Sequence, residues 1–342
     1  MKIRIVKISL KDIKKIISFL RKNWNKNHIF VKNIKFLKWQ YQNKKKLSFI
    51  CAIIKKKIIG VISYIPQDKY DKNIKNLEIF LTISKVIEKT YPGIWQKIFA
   101  KILKFYKPKF IGTTGFKHDL TNFHKLNNFT TGQFNHYAAV NHNIKNFKII
   151  KFKPNKKKIF LSKYFFLKIN QKFLIDANIS KLFKNQIPTK TKIFLINRYI
   201  KHPIYKYHLY CIFNKNKKPI AIVVLRQVFY KNSNAFRIID FVGDDKSIIH
   251  LGNVIQNIFS LYNSEFVDFY FHGLDCKYLR KINMLDVNKN KIIIPDNYSP
   301  FERKKKILMY GYINKYKNKN KIKIFKGDGD RDRPSYINGV YR

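Results

Sequence analysis

The sequence predicts a mixed α/β protein of two domains, each a largely antiparallel sheet flanked by helices. Three observations carry that expectation. The chain has 342 residues, more than one hydrophobic core usually serves. Its 45% hydrophobic and 16% aromatic content is ample for two cores and argues against disorder. Segments alternating with period two are interleaved with segments of helical period, in one order repeated in both halves.

KIRIVKI alternates apolar and basic residues and reads as a strand; LKDIKKIISFLRKNW then spaces its apolar residues for a helix. LSFICAIIKKKIIGVISYIP holds two β-branched runs about Lys55–Lys57, a hairpin ending at Pro66. Leu77–Ser84 predicts a strand, IWQKIFAKILKFY after Pro92 and Gly93 a helix, and Phe110–Phe116 the next strand. A short helix and the strand FNHYAAV close the first unit. In the second half YHLYCIF and IAIVVLRQVFY flank NKNKKP, and AFRIIDFVG follows across KNSN. A helix from about Lys246 to Tyr262 then leads to the strand EFVDFYF. Hairpin, strand, helix, strand recurs, which predicts an internal duplication of architecture. The expected domains are residues 1–145 and 161–342, joined at 146–160 by a lysine-rich linker containing FKPNKKK.

The formal net charge is +53, and all but ten of the 72 basic residues are lysine. Lysine runs occur almost everywhere, whereas a nucleic-acid surface gathers its charge, preferably as arginine, on one stripe. Compositional bias with solvated faces is therefore the favoured reading, and no specific nucleic-acid partner is expected. Cys51, Cys211 and Cys276 lie far apart, with neither zinc-ligand spacing nor a disulfide framework. The N-terminus lacks the apolar core of a signal peptide and no stretch approaches the ~20 apolar residues of a membrane span. A soluble, cytoplasmic protein with at most peripheral membrane contact is expected.

The order and spacing of these elements, twice over, resemble the GNAT-type acyl-CoA N-acyltransferase fold. The resemblance implies a strand leading to a glycine-bearing loop whose N–H groups, opening a helix, hold the coenzyme A pyrophosphate. It also implies a next strand that splays away to admit pantetheine and the acyl chain. In the first half these pieces correspond to Leu77–Ser84, EKTYPGIW and Phe110–Phe116. Gly93, Ile94 and Trp95 are then candidate cofactor-binding residues, with Gly243 at the corresponding turn of the second half. The chain departs from the pattern at Trp95, where the family carries a second glycine, and at Phe123, where it often carries a proton-donating tyrosine; His124 is adjacent. A longer resemblance, over most of the second half, rests on WQYQN, HPIYKY, RIIDFVGD, FVDFYFHGLD, IIPDNYSPFE and FKGDGDRDRPS. It is to a bacterial group of tandem acyltransferase-like proteins associated with surface-polysaccharide gene sets.

Acyl transfer to an amine needs a base, donors for the oxyanion and sometimes an acid for the thiolate. Asp240 and Asp268, on the strands flanking the second-half helix, are candidate catalytic carboxylates; for Asp240 an ion pair with Arg237 or Arg226 is the alternative. His202 and Tyr205 are candidate base and acid, against a structural role for a loop histidine before proline. Arg237 and His272 are candidates for substrate contact. Near Gly243, the residues Asp244 and Asp245 suit a helix cap better than a phosphate cradle.

In FKGDGDRDRPSYING, Asp328, Asp330 and Asp332 fit the first positions of a calcium loop, but Arg333 and Gly339 replace its glycine and glutamate, excluding that route. No metal is expected. Alternating charges there predict a self-paired turn, either a structural knot or a substrate loop that carries Arg331 or Arg333 into the second-half cleft. Asp328, Asp330, Arg331 and Arg333 are accordingly substrate-binding candidates.

The resemblance implies an acyltransferase moving an acyl group, acetyl among the candidates, from acyl-CoA to an amino sugar in surface-polysaccharide synthesis. Two alternatives stand beside it: a peptidoglycan-bridge-type aminoacyltransferase using aminoacyl-tRNA, and a non-catalytic saccharide-binding or scaffold protein with degenerate folds of this type.

Overall fold

A computed structural model of the chain describes residues 2–87, 91–152, 158–298, 301–317, 320–337 and 340–341. Glu88, Lys89 and Thr90 of the expected cofactor loop, residues 153–157 of the expected linker, and Ser299 and Pro300 of IIPDNYSPFE lie outside the described residues.

The longer strands are, in chain order, β1 (Arg4–Ser9), β2 (Lys46–Ile54), β3 (Lys57–Pro66), β4 (Glu78–Val86), β5 (Phe110–Thr114) and β6 (Thr130–Gln133). They continue with β7 (Asn135–Val140), β8 (Phe165–Ile169), β9 (Tyr207–Phe213), β10 (Pro219–Tyr230), β11 (Ser233–Gly243), β12 (Phe266–His272) and β13 (Met309–Asn314). Four helices matter below: α1 (Ile13–Asn23), α2 (Ile34–Tyr41), α3 (Ile94–Tyr106) and α4 (Thr121–Leu126); a fifth, α5 (Leu251–Tyr262), belongs to the second half.

Two eight-stranded sheets result. The first has the order β1-β2-β3-β4-β5-β13-β6, with Gln42–Asn43 added beside β2. The second begins at Leu285–Asp286 and runs β7-β12-β11-β10-β9-β8, with Ile324–Phe325 added beside β12. In each sheet antiparallel hairpins lead to one parallel pair spanned by a helix: β4-α3-β5 in the first, β11-α5-β12 in the second. α3 buries Ile94, Ile98 and Ile102 against β2 and β3 residues such as Ile50 and Ile62; α5 likewise buries Val254, Ile255 and Ile258 with Val223 and Phe241. Each helix presents one apolar stripe to one sheet face, as its 3.6-residue period requires.

The chain divides into compact units of Met1–Thr131, Tyr310–Asn318 and Gly329–Arg342, and of Gly132–Met309 and Lys319–Asp328. This division differs from the single break expected near residues 146–160. FNHYAAV does not close the first unit: β7 lies in the second sheet, its Val140 to Asn135 opposite Phe266 to Phe271. Conversely, β13 comes from late in the chain and pairs with β5 in the first sheet, Tyr310 opposite Thr114. The part of the expected linker before residue 153 is packed. Ile149 and Ile150 are buried, and the Glu265 carboxylate accepts N–H bonds from Lys148, Ile149 and Ile150 at 2.6–3.2 Å. A buried carboxylate needs such partners, and a three-amide turn supplies them. No helix among the described residues is long and apolar enough to cross a membrane.

Candidate active site: an open cleft and a filled one

In the first unit β4 and β5 pair only from Glu78 to Leu81 against Phe110 to Thr113. Beyond Leu81, β4 bulges: Ile62 faces Ser84 and Tyr64 faces Leu81, so Ser63 opposes both Thr82 and Ile83. Ser63 holds the bulge, its Oγ accepting the Ile83 N–H at 2.9 Å and lying 2.8 Å from Thr82 Oγ1; Tyr41 Oη is 3.0 Å from the same threonine oxygen. A bulge bends and twists its strand, and here the strands part. Between them opens a cleft of about 510 Å³, lined by residues 81–86 and 113–117, by Trp24, Trp95, Leu120, Phe123 and His124, and by Asp330, Arg331 and Arg333.

α3 starts beside this cleft. Gly93 is its N-cap residue, left-handed at φ 73°, with open space where a Cβ would stand. The N–H groups that follow lack intrahelical acceptors, as at any helix start, and favour an anion. The Trp95 indole turns to the core: it donates Nε1–H to Ser84 Oγ at 2.7 Å and packs on Phe99 and Phe123. It forms a wall of the cleft, and Ile94 beside it is fully buried. The tryptophan at the family's second glycine position therefore supplies packing.

The lining is cationic, with Lys85, Lys117, Arg331 and Arg333 against Asp330. Arg333 Nη1 donates to the backbone carbonyl and to Oδ2 of Asp330, each at 3.2 Å, and its Nε donates to His28 Nε2 at 3.0 Å. Burial, and then the Arg333 charge, push His28 down to about 2, so the ring accepts as a neutral imidazole. Arg331 crosses Gly115, whose φ is 74°; a Cβ there would stand 2.6 Å from Arg331 Cδ. Only glycine fits both demands without displacing the arginine.

The corresponding place in the second unit is occupied by its own chain. β11 and β12 pair from Phe236 to Ile238 against Val267 to Phe269, and β11 then bulges at Ile239, between Val224 opposite Asp240 and Leu225 opposite Ile238. Past that point Phe271 and His272 pair with Phe325 and Ile324, and the Gly327 N–H donates to the Ile239 carbonyl at 2.9 Å. Residues 322–328 thus fill the parting of the strands. Two glycines make the fit: a Cβ on Gly273 would stand 1.8 Å from the Ile322 carbonyl oxygen, and one on Gly327 would stand 2.5 Å from Tyr199 Oη.

The second-half candidates are bound up in this filled region or in the core. Asp240 is 0% exposed; Lys190 Nζ lies 2.6 Å from its Oδ1, and Tyr199 Oη donates to its Oδ2 at 2.6 Å. Lys190 also reaches Asp328 Oδ1 at 3.2 Å, and Asp328 Oδ2 accepts the Phe325 N–H. Asp268 is equally buried, gripped by Arg237 through Nε at 3.1 Å and Nη2 at 3.2 Å, with His136 Nε2 at 3.0 Å. Arg237 also donates to the Pro295 and Asp296 carbonyls. Asp240 and Asp268 are thus each held in a buried ion pair, Asp240 with Lys190 rather than with the expected Arg237 or Arg226, and Arg237 with Asp268.

His202 is 9% exposed, and its Nδ1 accepts the N–H groups of Ile204 and Tyr205, the latter at 2.8 Å. Its ring stacks on Tyr205, which in turn lies under Arg226 at 4.1 Å. This pair shapes a loop. His272 is held down to about 4 by burial and then by Lys321. Gly243 does not open toward an anion: its carbonyl accepts Lys323 Nζ at 2.8 Å, and a Cβ would meet the Ile220 carbonyl at 2.7 Å. Among the described residues no group of three or more His, Cys, Asp or Glu side chains is placed to hold a metal.

The structure brings together Trp95, Asp330, Arg331 and Arg333, with Gly93 and Ile94 on the adjoining helix, in the first unit rather than the second. Sequence reasoning missed Thr82, Ser84, Lys85 and Lys117, which carry no motif. Their only signal was position, at the ends of the two strands expected to part.

Among solved structures the chain is similar to a GCN5-related N-acetyltransferase from Anabaena variabilis, at 11% identity and a TM-score of 0.57 over 90% of this chain and 72% of that one. It is also similar to a protein from Enterococcus faecalis described as a probable N-acyltransferase, at 10% identity and a TM-score of 0.55 over 91% and 72% of the two chains. These likenesses establish the fold as the GNAT-type N-acyltransferase fold. No protein-family model and no curated protein sequence matches the chain.

Proposed function

We propose that the protein is an acyl-CoA-dependent N-acyltransferase that reacts in the cleft of the first unit, and that its acceptor is an amino sugar used in surface-polysaccharide synthesis. The observation that carries this reading is the open, cation-lined cleft where β4 and β5 part, beside the N-terminus of α3. The free N–H groups after Gly93, with Lys85 and Lys117, suit the phosphates of coenzyme A. The parted strands admit an extended pantetheine arm, and 510 Å³ holds a small acyl group with part of an acceptor. We assign Arg331 and Arg333, which line the same cleft, to the acceptor, since arginine suits sugar hydroxyls or an acidic substituent. The filled strand parting of the second unit leaves catalysis to the first. Such chemistry belongs in the cytoplasm, where acyl-CoA is made.

Thermal-shift titration tests the reading. Acetyl-CoA at about 100 times its Kd stabilises the native state by ~2.7 kcal/mol, and the double substitution Lys85→Ala/Lys117→Ala should weaken that response. No rise in Tm with any acyl-CoA from acetyl to myristoyl overturns it.

A further inference from the structure

We infer that the outer edge of the second sheet is a docking surface for an anionic lipid bilayer. Twelve large apolar side chains stand exposed among the described residues, and five of them, Phe160, Leu161, Phe165, Leu167 and Ile175, fall within sixteen consecutive positions. Single exposed apolar side chains are ordinary on any protein surface, whereas a cluster marks a contact site. Compositional bias explains how many such residues the chain has, not why they gather here. The same stretch is basic: residues 158–184 carry six lysines, all exposed, against one acidic residue, Asp176.

The fold holds these side chains out. β8 ends the sheet order and, among the described residues, pairs on one side only, Phe165 opposite Phe213 and Ile169 opposite Leu209. Alternation turns Phe166 toward the core beneath α5, and Phe165 and Leu167 to the other face. Asn170 then caps the helix Gln171–Asp176, which buries Leu174, packs Phe173 on Phe213 and leaves Ile175 outside. Before β8 the chain is clamped to α5. Asn253 Oδ1 accepts the Ser162 N–H at 2.9 Å, its Nδ2 donates to the Ser162 and Tyr164 carbonyls at 2.9 and 2.7 Å, and Tyr164 stacks on His250 at 3.8 Å. Phe160 and Leu161 are therefore presented next to a fixed backbone.

Charge decides the occupant. A second copy would bring another lysine-rich edge against the first, on chains of net charge +53, and repulsion opposes that pairing. An anionic bilayer satisfies both halves of the surface. Phenylalanine, leucine and isoleucine enter the boundary between headgroups and acyl chains, while lysine stems run along the apolar surface and place their ammonium groups among lipid phosphates. The unpaired backbone groups of the β8 edge stay in the hydrated headgroup layer, where water meets them. A bilayer also demands no register, which suits side chains offered by a loop, a strand and a helix together. None of this depends on the acyl-CoA reading.

Vesicle co-sedimentation of the full chain tests the inference. The wild type should bind phosphatidylcholine vesicles containing about one-quarter phosphatidylglycerol at about 0.15 M salt. The charge-neutral triple substitution Leu161→Ser/Leu167→Ser/Ile175→Ser should weaken that binding at least about tenfold, and Phe105→Ser/Leu126→Ser, at exposed apolar positions elsewhere, should change it by less than about twofold. Equal loss in both variants, or loss in neither, reduces the binding to general charge attraction and overturns the inference, as does a wild type that does not bind. Hydrogen exchange of the wild type needs no variant. With vesicles, amides of residues 158–176 should exchange at least about fivefold more slowly, and those of β1, the outer edge of the first sheet, at an unchanged rate. Protection of β1 equal to that of β8 overturns the inference. Protection of 158–176 that grows with protein concentration in the absence of vesicles also overturns it and assigns the edge to a second copy.

Discussion

Asp240, Lys190 and Asp328 form a buried row in which one cation serves two carboxylates. Burial pushes Asp328 up to about 6, with Lys190 opposing and Asp240 adding to the rise. Lys190→Met removes the cation that the two carboxylates share and should lower stability by about 3–5 kcal/mol. Asp328→Asn keeps an oxygen for the Phe325 N–H and should cost about 1 kcal/mol or less. Urea unfolding of the two variants checks the contrast; equal losses would refute the assignment. For Asp268 burial works against ionisation, but Arg237 and then His136 outweigh it and hold the carboxyl below its usual range. A depressed folded-state pKa contributes stability that is present above the unfolded value of about 3.9 and lost as pH falls through the folded one. Unfolding free energy should therefore drop on acidification below about pH 4, and with a shallower slope in Asp268→Asn. At this scale the identity of the unusual residues was legible, and their duty was not. Asp240 and Asp268 stood out because carboxylates inside apolar strands demand partners. Lys190, one lysine among many, had no signal that could single it out.

The two parted strand pairs show how one element order yields opposite results. Both carry a bulge at the parting, on β4 at Thr82–Ile83 and on β11 at Ile239. In the second unit residues 322–328 take the vacant edge of β12; in the first, the C-terminal segment contributes side chains to the cleft lining. Gly273→Ala should cost about 1–3 kcal/mol through overpacking, since its Cβ would collide with the Ile322 carbonyl. Hydrogen exchange at Gly327 should accelerate in the same variant, because its bond to Ile239 belongs to the segment displaced. Unchanged exchange would show that the segment is held by other contacts. Elements themselves were readable from periodicity: β2, β3, β4, α3 and β5 fall where alternation and helical spacing put them. The partner of β7 was not, because a six-residue strand states which face is apolar but not which edge it joins.

Taken as a whole, a chain of net charge +53 repels itself. Raising sodium chloride from about 0.02 to 0.5 M shortens the Debye length from about 20 Å to about 4 Å and should raise Tm, with no bound ligand required. A fall in Tm would mean that attractive pairs dominate the surface. The same charge should give weak binding to tRNA that disappears in the same salt range. Tight binding that survives about 0.3 M salt would instead favour the aminoacyl-tRNA reading.

The stretch FKGDGDRDRPS marks the boundary between what local patterns decide and what long-range packing decides. Composition and periodicity were sufficient for two α/β units of one repeated order, because apolar spacing is a local property read by the chain's own 2.0 and 3.6 periods. They also excluded a calcium loop, since ligand spacing is local too. Which strand crosses to which sheet, and which cleft stays open, depended on contacts hundreds of residues apart. Asp328 belongs with Lys190 and Asp240, while Asp330, Arg331 and Arg333 line the cleft of the first unit. Neighbours in sequence thus serve different sites, and only the packing of sheet edges assigned them.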